Sequence, residues 1–306
     1  MSIFNGIIGQ DRAKGALNFS LDGYKQSRFF PPTILTGSRG FGKTSIAKAL
    51  KGGLLNSQNK PKTFIEVNGA TAKNVGPFIL SIVVPYLVDK ESILFLDEIH
   101  AASIEVRRWL LSALPTGRET VTRVRWGEDE FTLDWQRINL IAATTNIETL
   151  SVPLRDRFER IDLEPYSDGQ LIQILKLKSK NINYSEDIEK EIVKTCRHSP
   201  RLIEKRADKI IKYCEIYKKN GFGNSEWADL FKMMGFYPLG LNANEVEHLK
   251  LLRNGPLTLT NLAAKLGLDA TTVRRDIESY LHLQGLITID GKRALTGKGV
   301  SLINNL

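Results

Sequence analysis

Cysteine is nearly absent from this chain, with two residues, Cys196 and Cys214, in 306. Both fall in runs with helical periodicity and lack metal-ligand spacing, which excludes a disulfide framework and a zinc site and leaves two reduced core residues. Long apolar runs are missing as well. The best candidate, residues 79–87, is short and broken by Pro85. A membrane span is therefore excluded, and without the basic start and long apolar stretch of a signal peptide a cytoplasmic protein is expected. Neither a repeat nor a low-complexity tract is present. Acidic residues are outnumbered, 34 against 43 Lys and Arg, giving a formal net charge of +9. That excess favours a polyanionic partner, and because it is spread along the chain any DNA surface must be local. Length and ordinary composition bound the chain at about two or three globular domains.

What is present begins with Gly37-Ser38-Arg39-Gly40-Phe41-Gly42-Lys43-Thr44, which fits G-x-x-x-x-G-K-[ST] at every fixed position. An apolar strand-like run at 33–36 precedes it and a helical run at 45–50 follows, the context that separates a P-loop from a glycine-rich turn. Gly37, Gly40 and Gly42 let backbone N–H groups converge on a phosphate chain at a helix N-terminus. Lys43 can reach the β and γ phosphates of ATP, and Thr44 can hold Mg²⁺. Residues 93–98, Ile-Leu-Phe-Leu-Asp-Glu, are a strand ending in two carboxylates. Two adjacent acids alone usually mark a solvated turn. At the end of a buried strand downstream of a P-loop, Asp97 is placed for Mg²⁺ and its hydration shell and Glu98 for the attacking water. Thr145, in the strand-end run Ala143-Thr144-Thr145-Asn146, is expected near the same water. Arg155 and Arg157 follow. An isolated Arg-Asp-Arg usually makes a surface salt bridge, whereas an arginine at a neighbouring subunit's γ-phosphate would be a finger that ties hydrolysis to assembly.

The periodicity predicts an α/β organisation. Residues 1–165 alternate short apolar strands (33–36, 63–67, 93–96, 138–142) with helices, the pattern of a parallel sheet covered on both faces. A hairpin insert at 120–135 has arms 122–126 and 130–135 joined by Gly127-Glu128-Asp129, and its Trp126 and Trp135 invite either a partner or packing on its own domain. Residues 166–237 read as a small all-helical domain, opened by a Ser167–Gln170 capping box. Residues 238–306 read as two helices joined by Gly267-Leu268-Asp269 and then a hairpin whose arms, 286–289 and 294–295, flank a basic tip at 290–293. Helix, turn, helix and hairpin make a winged helix, with Arg274, Arg275, Lys292 and Arg293 as candidate DNA contacts.

In this order the motifs resemble those of the AAA+ ATPases, and within them the RuvB-type motors that promote branch migration of Holliday junctions in recombination and repair. The resemblance lies in Ile8-Gly9-Gln10, the P-loop, residues 96–100, Ala143-Thr144-Thr145, residues 153–158, Pro200-Arg201, and Tyr280-Leu281 with Gln284-Gly285 before the wing, and it spans nearly the whole chain. It implies an AAA+ P-loop domain, a helical lid and a C-terminal winged helix, assembled as a hexameric ring around duplex DNA. It implies Gly40 and Ser45 in the phosphate loop beside Lys43 and Thr44, Asp97 and Glu98 on Mg²⁺ and water, and Arg157 as the finger. Arg201 would be the lid's sensor of the γ-phosphate in cis, Ile7, Ile8 and Tyr166 the nucleotide's neighbours, and Arg293 the last arginine of the wing tip. A RuvA-like partner would dock on the 120–135 hairpin. Among its departures from the family, Ser38-Arg39 replace two prolines in the P-loop, the hairpin is short and acidic at its tip, and the wing has lost at least one arginine. Two other readings use the same ATP site. A loader could place a clamp or helicase on DNA, although clamp loaders end in a helical collar. A winged-helix regulator could use ATP only for assembly, although that predicts loss of Glu98, Arg157 or Arg201.

Overall fold

The strands form where apolar residues are densest. In the computed structural model, which describes residues 3–117, 119–185 and 187–306, β1 (Thr33–Thr36), β2 (Thr63–Asn68), β3 (Ser92–Asp97), β6 (Ile138–Thr144) and β7 (Glu159–Asp162) build one sheet in the order β2-β3-β6-β1-β7. Every pairing is parallel. Because successive side chains point to opposite faces, each strand feeds two cores. Ile34, Leu94, Leu96, Leu140 and Ala142 meet Val106, Trp109 and Leu110 of the helix Ile104–Ala113 on one side. Leu35, Ile93, Phe95, Ile141 and Ala143 meet Leu17, Leu21 and Tyr24 of α1 (Asp11–Ser27) and Ile46, Ala47 and Leu50 of α2 (Lys43–Leu50) on the other. Each such buried Leu or Ile contributes roughly 1.5–3 kcal/mol. The edge strand β7, Glu-Arg-Ile-Asp, was not legible as a strand. It buries only Ile161 and carries charges outward, as an edge that must not recruit another strand should.

The insert between the Ile104–Ala113 helix and β6 is an antiparallel hairpin of β4 (Val121–Trp126) and β5 (Asp129–Asp134), with Trp126 opposite Asp129. Its turn is one residue shorter than the sequence suggests. Trp135 is buried and donates from Nε1 to Thr122 Oγ1 at 2.9 Å, and Trp126 is half-buried with a Cβ at Gly76 lying 3.0 Å from its ring. The tryptophans therefore pack the hairpin onto its own domain, because their rings have apolar neighbours to cover.

The chain divides into two compact units, residues 1–174 with 198–201 and residues 175–197 with 202–306. The first thus runs past the expected boundary at 165 and takes in the segment carrying Arg201. In the second, the helices Ile188–Lys194, Pro200–Tyr217 and Asn224–Met233 are joined by a two-residue parallel pair, β8 (Asn183–Tyr184) with β9 (Gly221–Phe222). That pair is a small addition to the expected helical module; it brings Tyr184 and Phe222 into an aromatic cluster with Tyr213 and Trp227. A further core runs from Leu241 to Ile303. Its helix Ala243–Leu252 starts on an Asn242–Glu245 capping box, and Gly267 and Asp269 end and begin the next helices as expected. The second of these changes pitch midway, through a π-helical stretch Val273–Glu278, while still burying Val273, Ile277 and Leu281. The hairpin β10 (Ile287–Asp290) and β11 (Lys292–Leu295) closes the module. Among the described residues no helix is long and apolar enough to cross a membrane, and Cys196 and Cys214 are buried free thiols.

Candidate active site

The parallel order places the C-terminal ends of β1, β3 and β6 side by side, where a doubly wound sheet binds its ligand. The P-loop leaves β1 and enters α2 without a side-chain cap, its N-cap Gly42 lying at φ 91°. The first amides of α2 stay available for an anion. At that φ a side chain would be strained, which favours glycine, and a Cβ would also lie tightly, 3.1 Å, against the Tyr166 hydroxyl. Lys43 is buried at 6% exposure, its ammonium donating to the carbonyls of Gly37 at 2.7 Å and Ser38 at 3.2 Å. Burial pushes its pKa down, against the opposing pull of the Glu98 and Asp97 carboxylates. Ser45, next on the helix, is exposed.

The Thr44 hydroxyl donates to Asp97 Oδ2 at 3.3 Å, pairing an alcohol with a carboxylate at the end of β3. Burial, then the neighbouring Glu98 carboxylate, push the Asp97 pKa up, while the Thr44 hydroxyl and the Glu98 amide hold it back. An oxygen pair of this kind suits a hard divalent cation that keeps most of its water, and a cation would relieve the repulsion that raises Asp97. Buried amine, open helix amides and this oxygen pair together fit a magnesium–nucleotide. Glu98 reaches across to β6, where its Oε2 accepts from the Thr145 amide and hydroxyl, both at 3.3 Å. The structure thus brings Lys43, Thr44, Asp97, Glu98 and Thr145 to one sheet end.

The other ATP-site candidates divide. Tyr166 is buried and donates to the carbonyl of Phe41 at 3.3 Å; Ile7 and Ile8 are half-buried, Ile7 against the α1 face of the sheet. Gln10, whose role the sequence did not reveal, ties this start to the end of the sheet domain, donating to Glu164 O at 2.8 Å and accepting from Glu164 N at 2.9 Å. Gly40 faces the segment carrying Arg201, whose Cβ is 3.7 Å from where a Gly40 Cβ would stand. The Arg201 side chain is exposed and has no hydrogen bond or ion pair among the described residues. Arg155 makes the surface pair, with Glu148 at 2.8 Å, whereas Arg157 donates to Thr116 Oγ1 and to Leu114 O at 3.5 Å.

A family model described as the Holliday junction DNA helicase RuvB P-loop domain matches residues 2–162, and the RuvB C-terminal winged helix domain matches residues 238–304. The chain belongs to the RuvB family. RuvB, the Holliday junction branch migration complex subunit of Campylobacter jejuni, is 29% identical over 96% of this chain and 88% of its own length. That of Prochlorococcus marinus is 28% identical over 93% and 80%. A solved Thermotoga maritima RuvB mutant superposes with a TM-score of 0.77 over 99% of this chain and 98% of its own, at 23% identity, which speaks for the fold.

On the RuvB winged helix the four candidate DNA residues do not share a surface role. Arg274 and Arg275 are exposed on the π-helical stretch, Arg275 paired with Asp276 at 2.7 Å. Lys292 is exposed opposite Asp290 in a tight turn at Gly291. Arg293 is corrected. The turn is shorter than expected, so Arg293 lies within β11, paired with Ile289, and strand alternation turns its side chain inward. It is buried at 7% exposure, with Nε 2.8 Å and Nη2 3.1 Å from the two oxygens of fully buried Glu278, and its backbone pairs with Leu257. His248 lies 3.5 Å from the same carboxylate, with its pKa pushed down by burial. Arg293 fastens the wing to the helix rather than facing DNA.

Proposed function

We propose that this protein is an ATP-driven DNA motor that promotes branch migration of Holliday junctions. The observation that carries the reading is the convergence of Lys43, Thr44, Asp97, Glu98 and Thr145 at one sheet end in a chain whose two outer domains both match RuvB. Thr44 and Asp97 would hold Mg²⁺, which when bound neutralises phosphate charge. Lys43 and the first amides of α2 bind and orient the phosphates. Glu98 takes the proton of the attacking water as its oxygen bonds to the γ-phosphorus and the β–γ bridge bond breaks. Arg157 would reach a neighbour's γ-phosphate in a hexameric ring, and Arg201 would read the phosphate in cis. Exposed Arg274, Arg275 and Lys292 would meet the DNA backbone. If a RuvA-like partner docks on the 120–135 hairpin, exposed side chains such as Val121, Arg123 and Thr132 would meet it, since the tryptophans are spent in packing. We place the motor in the cytoplasm.

The test is steady-state ATP hydrolysis by the purified chain, alone, with linear duplex and with a synthetic four-way junction, at fixed salt. Greatest stimulation by the junction, abolished in Glu98→Gln, is the expected result. Hydrolysis indifferent to every DNA would overturn the motor reading and return attention to a loader or another client.

A further inference from the structure

The Glu98 carboxylate is not free to rotate. Its Oε2 accepts from the amide and hydroxyl of Thr145, both at 3.3 Å, and lies 3.2 Å from Nδ1 of His100, while Oε1 has no partner among the described residues. The backbone is set as well. Glu98 sits in the left-handed region at φ 52°, ψ 49°, a conformation that costs a residue with a side chain roughly 1–2 kcal/mol and persists where surroundings impose it. Part of that imposition is Gly69, since a Cβ there would collide with the Glu98 carbonyl. Thr145, His100 and Gly69, all outside the P-loop and its acidic strand, thus define where this carboxylate lies.

His100 follows on the short turn Ile99–Ala101, with Nδ1 also 2.9 Å from Thr144 Oγ1. Two tautomers are open to the ring, and they act on Glu98 in opposite ways. With a proton, Nδ1 donates to Thr144 Oγ1, and the positive N–H lies beside Oε2 at 3.2 Å. Without one, Nδ1 accepts from the Thr144 hydroxyl, and its lone pair faces a carboxylate oxygen at 3.2 Å, which is repulsive. Only the first makes the 3.2 Å approach favourable.

We infer that His100 is a positioning residue for Glu98: its Nδ1–H, with Thr145, pins Oε2 to the end of β6 and leaves Oε1 as the oxygen that takes the proton of the attacking water. An oxygen already accepting two hydrogens from Thr145 and facing the His100 N–H is the poorer base of the two, so pinning decides which lone pair works. The inference rests on Glu98 acting on that water. It gives a use to a histidine that the sequence marked only as part of a matching stretch.

The test compares steady-state ATP hydrolysis by the full-length wild type, His100→Ala, His100→Asn and His100→Gln, with Glu98→Gln alone and combined with His100→Ala. Asparagine places an amide N–H near the position of Nδ1, glutamine near that of Nε2. The expected result is a kcat about tenfold lower in His100→Ala with KM for ATP unchanged, since only a transition-state contact is lost. Asparagine should restore kcat to within about threefold and glutamine should not, by the geometry of the donor. The double variant should be no worse than Glu98→Gln. Full activity in His100→Ala beside an inactive Glu98→Gln overturns the role of His100 alone. A loss confined to KM, or identical behaviour of asparagine and glutamine, overturns it too. Wild-type hydrolysis by Glu98→Gln overturns both this inference and the reading beneath it.

Discussion

The ATP site and the winged helix use arginine and lysine in opposite ways. At the sheet end, Lys43 is buried on loop carbonyls beside two carboxylates it does not pair with, and Arg201 is left without an ion pair among the described residues. Charge there is held ready for a ligand. In the winged helix, Arg293 is spent on Glu278, and in the same compact unit Arg197 is spent on fully buried Glu245 while stacking 3.9 Å over Tyr280. Charge there holds pieces of the module to each other. A forked guanidinium on a buried carboxylate is costly to break and near neutral to form, so it specifies geometry more than it adds stability. The difference teaches that a basic residue in a recognisable motif is available as a ligand contact only where its backbone keeps the head group off a buried carboxylate.

Substitutions at three places test how these buried and exposed charges are used. The largest effect is expected from Arg157→Ala, which should lower kcat for ATP by about 10³ if it acts as a finger. Mixing it with Lys43→Ala subunits should recover part of the rate, because some neighbours then pair an intact P-loop with an intact finger; no recovery would sink the trans role. Next, Arg293→Ala should destabilise the winged helix by about 3–5 kcal/mol in urea unfolding, as loss of one partner of a buried ion pair does. Arg293→Lys, which keeps the charge but not the fork, should leave the salt slope of duplex binding unchanged. Lys292→Ala should be stability-neutral and make that slope shallower by about one. The reverse pattern would return Arg293 to the DNA. The smallest effect concerns Lys62, an almost fully buried lysine that donates to Arg137 O at 2.7 Å and Asn139 Oδ1 at 2.9 Å. Burial pushes its pKa down to about 8. Between that value and its unfolded one the unfolded chain binds more protons, so stability rises with pH across the window from about 8 to about 10.5, by up to about 3 kcal/mol. Lys62→Met should lack this rise, and parallel curves for the two proteins would refute it.

Much of the ATP site was legible because its residues are fixed by backbone devices that have local signatures. A glycine pattern feeding a helix, and acids or threonines closing apolar strands, already say which end of a parallel sheet they occupy. The edge strand β7 was not legible, because a half-exposed strand of Glu-Arg-Ile-Asp carries no apolar run; its existence depends on pairing with β1. The two-residue strands β8 and β9 escaped for the same reason. His100 and Gln10 were visible as letters but not as roles, since their partners Thr144 and Glu164 lie 44 and 154 residues away.

By itself, then, the sequence determined the three-part order of the chain, the P-loop, the acidic strand end and the winged helix, because each is written in periodicity and spacing that one segment enforces alone. Only the tertiary structure decided the direction of side chains whose partners are distant. A wing turn of one residue, Gly291, where four were expected placed Arg293 in a strand, and strand parity, with a buried Glu278 waiting beneath, turned it away from solvent while its neighbour Lys292 stayed outside.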